Sequence, residues 1–146
     1  MIDFEALESD ISCLISELDY KRVSSIDEAD SFGSSKGNTK RFFISSPSVQ
    51  TTSKQNSSEA IVNNTITIMY SCGDDFAKQQ KVKFQVMNDI FKMQNNLKLK
   101  TLKKDFKCKA LFIMTIANLN QSNLKLNTGY FSIDFEIQSR ISINNI

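Results

Sequence analysis

The stretch YFSIDFEIQSRISI, Tyr130 to Ile143, alternates along its whole length. Phe131, Ile133, Phe135, Ile137, Ile141 and Ile143 hold the odd positions, with Ser139 as the small polar exception. Tyr130, Ser132, Asp134, Glu136, Gln138, Arg140 and Ser142 hold the even ones. A period of two predicts a β-strand with one apolar face and one wet face. At about 3.3 Å per residue it would run about 46 Å if straight. A compact domain of this length has a radius of gyration near 15 Å, hence a diameter of roughly 40 Å. The strand therefore either reaches beyond its own sheet, offering its end or its polar face to a neighbouring subunit, or bends at a bulge near Ser139 and stays within the monomer. A free edge of that length would invite uncontrolled pairing, which closure of a ring would satisfy.

The 146 residues are expected to form one α+β domain, 1–146, with polar, flexible segments at about 24–40 and 46–59. No apolar run reaches membrane-spanning length, and Asp3 and Glu5 at the start argue against a secretory signal. The expectation is a soluble protein made in a cytoplasm. Cys13, Cys72 and Cys108 are odd in number and widely spaced, which disfavours a zinc site and predicts reduced, buried thiols. Charge is segregated. Residues 1–30 hold nine acids and two bases, a net of −7, and the remainder nets +9 from sixteen bases and seven acids. Such polarity suits head-to-tail docking or contact with two unlike partners, and it equally suits a solvated helix and a solvated loop.

Along the chain, Phe4, Leu7, Ile11, Leu14, Ile15 and Leu18 recur at helical spacing, with Asp3 placed to cap the helix. RFFIS, 41–45, reads as a strand. SPSVQTTSKQNSSE, 46–59, has too little apolar content to pack and reads as a mobile loop or extended arm. AIVNNTITIMYSC, 60–72, is a strand with Ile66, Ile68 and Tyr70 on one side. Gly73 ends it, and Asp74 or Asp75 can cap a helix from about Phe76 to Asn96. Phe84, Met87 and Phe91 widen that helix's apolar arc, so one of its shoulders should rest on something besides the sheet. Residues 98–109 read as a basic connector. ALFIMTIANL, 110–119, is apolar on both faces and predicts a central strand, joined by a turn-rich loop to the final one. The predicted order is α-β-β-α-β-β: a mostly antiparallel sheet with helices on one face and a long polar loop between the first strands, plus room for one more strand in the N-terminal third.

The usual catalytic equipment is missing. There is no histidine and no phosphate-binding glycine motif, so no enzyme activity and no cofactor are expected. Asp134 and Glu136 share a strand face about 7 Å apart and could hold a divalent metal or act as a hydrolase pair, though a wet strand face explains them more simply. Lys98, Lys100, Lys103, Lys104, Lys107 and Lys109 surround one acid, Asp105. If this patch meets DNA, the contact is electrostatic and blind to sequence. Phe106 alone is too little for base stacking.

The succession NTITIMYSC, FAKQQKVKFQVMNDIF, KALFIMTIANL and GYFSIDFEIQSRISI, behind an acidic N-terminal helix, resembles the tail terminator proteins of long-tailed bacteriophages over nearly the whole chain. The Asn-, Lys-, Ile- and Ser-heavy composition is consistent with an AT-rich genome. The resemblance implies a structural virion protein located in the tail or neck, and in the host cytoplasm during assembly. It implies a homo-oligomer, a hexameric ring, that caps the tail tube, stops its polymerisation and joins the tail to the head connector or a neck protein. DNA passes through such a ring without sequence recognition, and no membrane is involved. The family offers no residue motif to carry over. On our own reading of the residues, the subunit interface falls on Tyr130, Asp134, Glu136, Gln138 and Arg140. A basic nucleic-acid-associated domain is the alternative, ahead of a metal-dependent hydrolase.

Overall fold

The computed structural model describes residues 2–24, 39–54, 57–127 and 129–142. The polar segment expected at 24–40 lies outside them, apart from residues 24, 39 and 40. The protein is α+β, with two α-helices over a seven-stranded mixed sheet among the described residues.

Helix α1, Phe4–Ser16, begins where the Asp3 carboxylate accepts the Ala6 N–H at 3.0 Å. It buries Leu7, Ile11, Leu14 and Ile15, the face set by its three- and four-residue spacing. Asp19, in the left-handed region at φ 68°, turns the chain into the two-residue strand β1, Lys21–Arg22. Then come β2 (Lys40–Ile44), β3 (Ser48–Lys54) and β4 (Ser57–Ser71). The segment 46–59, expected to be a loop, is thus largely a β-ladder: β3 pairs with β4 from Ser48↔Asn63 to Lys54↔Ser57. Main-chain pairing with an adjacent long strand needs no apolar side chains, which is why the composition misled.

Helix α2, Phe76–Lys103, is capped by Asp75, whose side chain accepts the Ala77 N–H at 3.0 Å. It runs past Asn96 into the expected connector, because Leu97 is buried and Lys and Leu are good helix formers. Lys104, left-handed at φ 53°, ends it, with the Asp105 N–H returning to the Lys100 carbonyl at 3.0 Å. Strand β5 (Leu111–Ala117), a 3₁₀ turn (Gln121–Asn123), β6 (Lys125–Asn127) and β7 (Tyr130–Ser142) complete the order. The observed order is therefore α-β-β-β-β-α-β-β-β. One pair, β1 with β2, is parallel; every other pairing is antiparallel.

The long strand does not outrun its sheet. It lies beside β4, which is two residues longer, and pairs with it from Glu59↔Ser142 to Ser71↔Tyr130. Its other edge is shared by β6, opposite Tyr130–Ser132, and β5, opposite Glu136–Ile141. There is no bulge at Ser139, whose partner is Val62. The irregularities lie on the flanks. From Ile44↔Ile66 to Ser48↔Asn63 the β2–β3 flank advances four residues against three on β4, a one-residue bulge at Ser45–Pro47. Opposite Arg140 and Ile141, β5 carries an extra residue at Phe112.

β5 is an edge strand, at the end of the order β1-β2-β4-β7-β5, not the central one its two apolar faces predicted. One face of the sheet packs under both helices. Phe42, Ile66, Ile68, Phe135, Ile137 and Ile141 meet Leu7, Ile11 and Leu14 of α1 and Val86, Ile90 and Met93 of α2 in one cluster.

Candidate assembly surface

The opposite face of the sheet is wet, and it carries the row chosen from the alternation. Asp134 and Arg140 are exposed; Tyr130, Glu136 and Gln138 are half-buried. All five lie on this face because β7 keeps its period without slipping, burying every odd residue from Phe131 to Ile141. Tyr130 sits beside a small satellite cluster of Val23, Met69 and Phe43. The two carboxylates have neutral partners. The Thr67 hydroxyl donates to Asp134 at 2.6 Å, and the Asn118 side-chain amide donates to Glu136 at 2.6 Å. Among the described residues no three His, Cys, Asp or Glu side chains gather as a metal site would require.

The basic segment divides. Lys98 and Lys103 leave α2 into solvent, and Lys104, Lys107 and Lys109 are also exposed. Lys100 is held by Glu17, the residue that caps the C-terminus of α1, at 2.8 Å. That charge-assisted bond raises the lysine's pKa, against an opposing effect of burial. Asp10, buried in the middle of α1, accepts the backbone N–H of Lys107 at 2.7 Å and of Cys108 at 3.0 Å, and the Lys107 amine donates to Ser9 at 3.1 Å. Part of the charge segregation is thus met inside the monomer. Phe106 is half-buried against the core and offers no open ring for base stacking. Cys72 and Cys108 are buried free thiols, pushed up in pKa chiefly by burial, whereas Cys13, expected to be buried, is exposed.

A buried polar cluster was invisible in the sequence. The Tyr20 hydroxyl donates to Asp89 of α2 at 2.9 Å, and Lys40 of β2 reaches the same Asp89 oxygen at 3.0 Å. The Lys40 amine also donates to the Leu18 carbonyl at 2.6 Å and lies 4.5 Å from the Tyr20 ring centre. Nearby, Tyr70 of β4 donates to Gln85 at 2.8 Å. These residues tie α2 and the segment that follows α1 to the sheet. The only signal available in the sequence was an acid, Asp89, on the apolar stripe of α2.

Apolar surface remains uncovered on one side. Phe84, Phe91 and Leu102 follow one line on the outer side of α2, exposed by 58%, 57% and 72%, and Phe112 and Ile113 are open on β5. The shoulder of α2 that was expected to rest on something is exposed at Phe84 and Phe91, with no cover among the described residues. Between α2 and β5 runs an apolar groove of about 330 Å³, lined in part by Leu97, Leu102, Met114 and Ile116.

Among the described residues, fold and surface amount to one helical layer on one sheet, with a polar face opposite the helices and one apolar flank. No protein-family model and no curated protein matches the chain. No helix among the described residues is long and apolar enough to cross a membrane.

Proposed function

We propose that this protein is a structural subunit of a bacteriophage tail, a tail terminator whose copies close into a ring. The ring, a hexamer, caps the tail tube, stops its polymerisation and joins the tail to the head connector, with DNA passing through its channel. The observation that carries the reading is a sheet built on two very long strands, β4 and β7, that the described residues cover on one side only. Such a sheet is a large rigid plate, and its polar row from Tyr130 to Arg140 is available to other protein. The charges on that face are mixed and nearly balanced, with Lys21, Arg41, Lys125 and Arg140 against Glu59, Asp134 and Glu136, a net of +1 among the side chains described. A channel lined by such a face would let DNA slide without holding it.

The test is electron microscopy of the purified chain, alone and mixed with polymerising tail tube protein. Rings of uniform diameter and tubes arrested with a ring at one end are expected. Tubes that grow unchecked at saturating chain would overturn the reading.

A nucleic-acid role is the second reading. It is favoured by Lys98, Lys103, Lys104 and Lys109, which are exposed and have no carboxylate in ion-pairing range among the described residues. It requires duplex DNA binding by the monomer that weakens steeply with salt.

A further inference from the structure

At one end of the sheet four strands lie side by side in the order β3-β4-β7-β5, each antiparallel to the next. One row of the register runs Val49↔Val62, Val62↔Ser139, Ser139↔Met114. The outer edges of β3 and β5 are paired to no strand among the described residues. The β5 edge is LFIMTIA, with no charge and no proline, and proteins seldom leave such an edge open. Its sequence is that of an internal strand, apolar on both faces, and the monomer gives it a neighbour on one side only.

The two flanks are complementary. Four is an even number, so β5 runs opposite to β3. When copies repeat by rotation about an axis lying roughly along the strands, every copy keeps the same strand direction. The β5 edge of one copy then meets the β3 edge of the next in antiparallel orientation, the pairing used almost throughout this sheet.

The helices agree. Glu17, which caps the C-terminus of α1, pairs with α2 through Lys100, and Glu8, nine residues or about two and a half turns away, faces the other side, where it pairs with Arg22 of β1. The side of α1 remote from α2 therefore carries Glu8, with exposed Glu5 beside it in the same cleft. The exposed charges of α2 are all lysines, Lys98 among them next to Leu102 in the apolar groove.

We propose that β5 of one copy pairs antiparallel with β3 of a second copy, so that the sheet continues from chain to chain. Val49 of the second copy enters the groove between α2 and β5, and its Glu5–Glu8 flank faces Lys98. The contact joins unlike surfaces, so it propagates head to tail and closes as a ring. It deepens the ring reading and rests on it. Glu136, Gln138 and Arg140 lie one strand in from the seam, about 5 Å away, within side-chain reach of it.

The test uses the full chain in two variants, Leu102→Glu, which sets a carboxylate against Glu5 and Glu8, and Val49→Lys, which sets a cation against Lys98. Both positions are exposed, at 72% and 42%, and circular dichroism checks that each variant folds. Sedimentation velocity should show the unaltered chain assembling and each variant assembling at least tenfold more weakly. An equimolar mixture of the two should recover at least a dimer, because each variant retains one sound edge for the other. Variants that assemble like the unaltered chain, or a mixture that stays monomeric, would overturn the strand pairing and leave the ring to other surfaces. An unaltered chain that is monomeric at millimolar concentration also overturns it, and the tube-capping experiment then decides the ring reading separately.

Discussion

Tyr20 and Asp89, 69 residues apart in sequence, meet inside the core, where the phenol donates to the carboxylate at 2.9 Å. Lys40 completes the group from β2. A buried ion pair adds little net stability against a well-packed apolar replacement, but losing one partner strands the other. Asp89→Ala should therefore cost about 3–5 kcal/mol in urea denaturation. Asp134→Ala, on the open face, should cost less than about 1 kcal/mol. Equal losses at the two positions would show that the cluster does not hold α2 to the sheet.

Tyr20 also gives the fold a pH dependence. Burial, with the Asp89 charge and hydrogen bond adding to it, raises its pKa above the ordinary 10.0. Below pH 10 the phenol is protonated in folded and unfolded chains alike, and its contribution is complete. Above that pH the unfolded chain releases the proton and the folded chain keeps it, so stability falls as pH rises. Tyr20→Phe should be less stable at neutral pH by about 1–2 kcal/mol, and its stability should decline less between pH 9 and 11. Parallel pH profiles for the two chains would assign the alkaline loss elsewhere.

Ser139 interrupts an otherwise apolar row and is completely buried, with no hydrogen-bond partner for its hydroxyl. An unmet buried hydroxyl costs free energy that alanine does not incur. Ser139→Ala should be neutral or stabilising, by up to about 1 kcal/mol, measured as a shift in the urea midpoint at constant slope. A loss above that size would mean that the hydroxyl is bonded in solution.

Lys104 ends α2 in the left-handed conformation that glycine adopts without strain. Lys104→Gly should stabilise the protein by about 0.5–1 kcal/mol, visible as a rise in Tm, and should lower any DNA affinity by one contact's share. A fall in Tm would mean that the lysine side chain contributes more than the strain it bears.

Arg140→Glu and Glu136→Lys each reverse a charge on the polar row near the seam. Each should weaken assembly by about tenfold, equivalent to about 1.4 kcal/mol, with the monomer still folded by circular dichroism. Normal assembly by both would leave that face merely solvated.

How much of this was legible in the sequence depended on whether a residue's role was periodic. The faces of α1, β4 and β7 follow from spacing alone, and Asp3 and Asp75 cap the helices because a carboxylate before an apolar periodic run has few better uses. The role of β3 was hidden, since its ladder with β4 is made by the main chain, which leaves no mark in side-chain periodicity. The order of strands was hidden for the same reason: β5 is apolar enough to be central, and only the pairing shows it at the edge. Asp10 and Asp89 read as ordinary helix acids, yet each is buried by partners nearly a hundred or nearly seventy residues away. The polar row on β7 could be read in advance. The seam next to it needed the positions of both flanks.

The pairing of β4 with β7 also sets when this protein can fold. Its contacts join residues as far apart as Glu59 and Ser142, and they form the middle of the sheet. As the chain leaves the ribosome, β4 emerges well before its central partner. The apolar residues of both helices then have half a platform to rest on until β7 arrives. Few contacts of this kind are local, so folding should be slow for a chain of this size. The order of synthesis leaves the β4 edge that β7 will cover open from the time β4 emerges until the last residues are added, a period in which a chaperone or a finished copy of the same chain could reach it first.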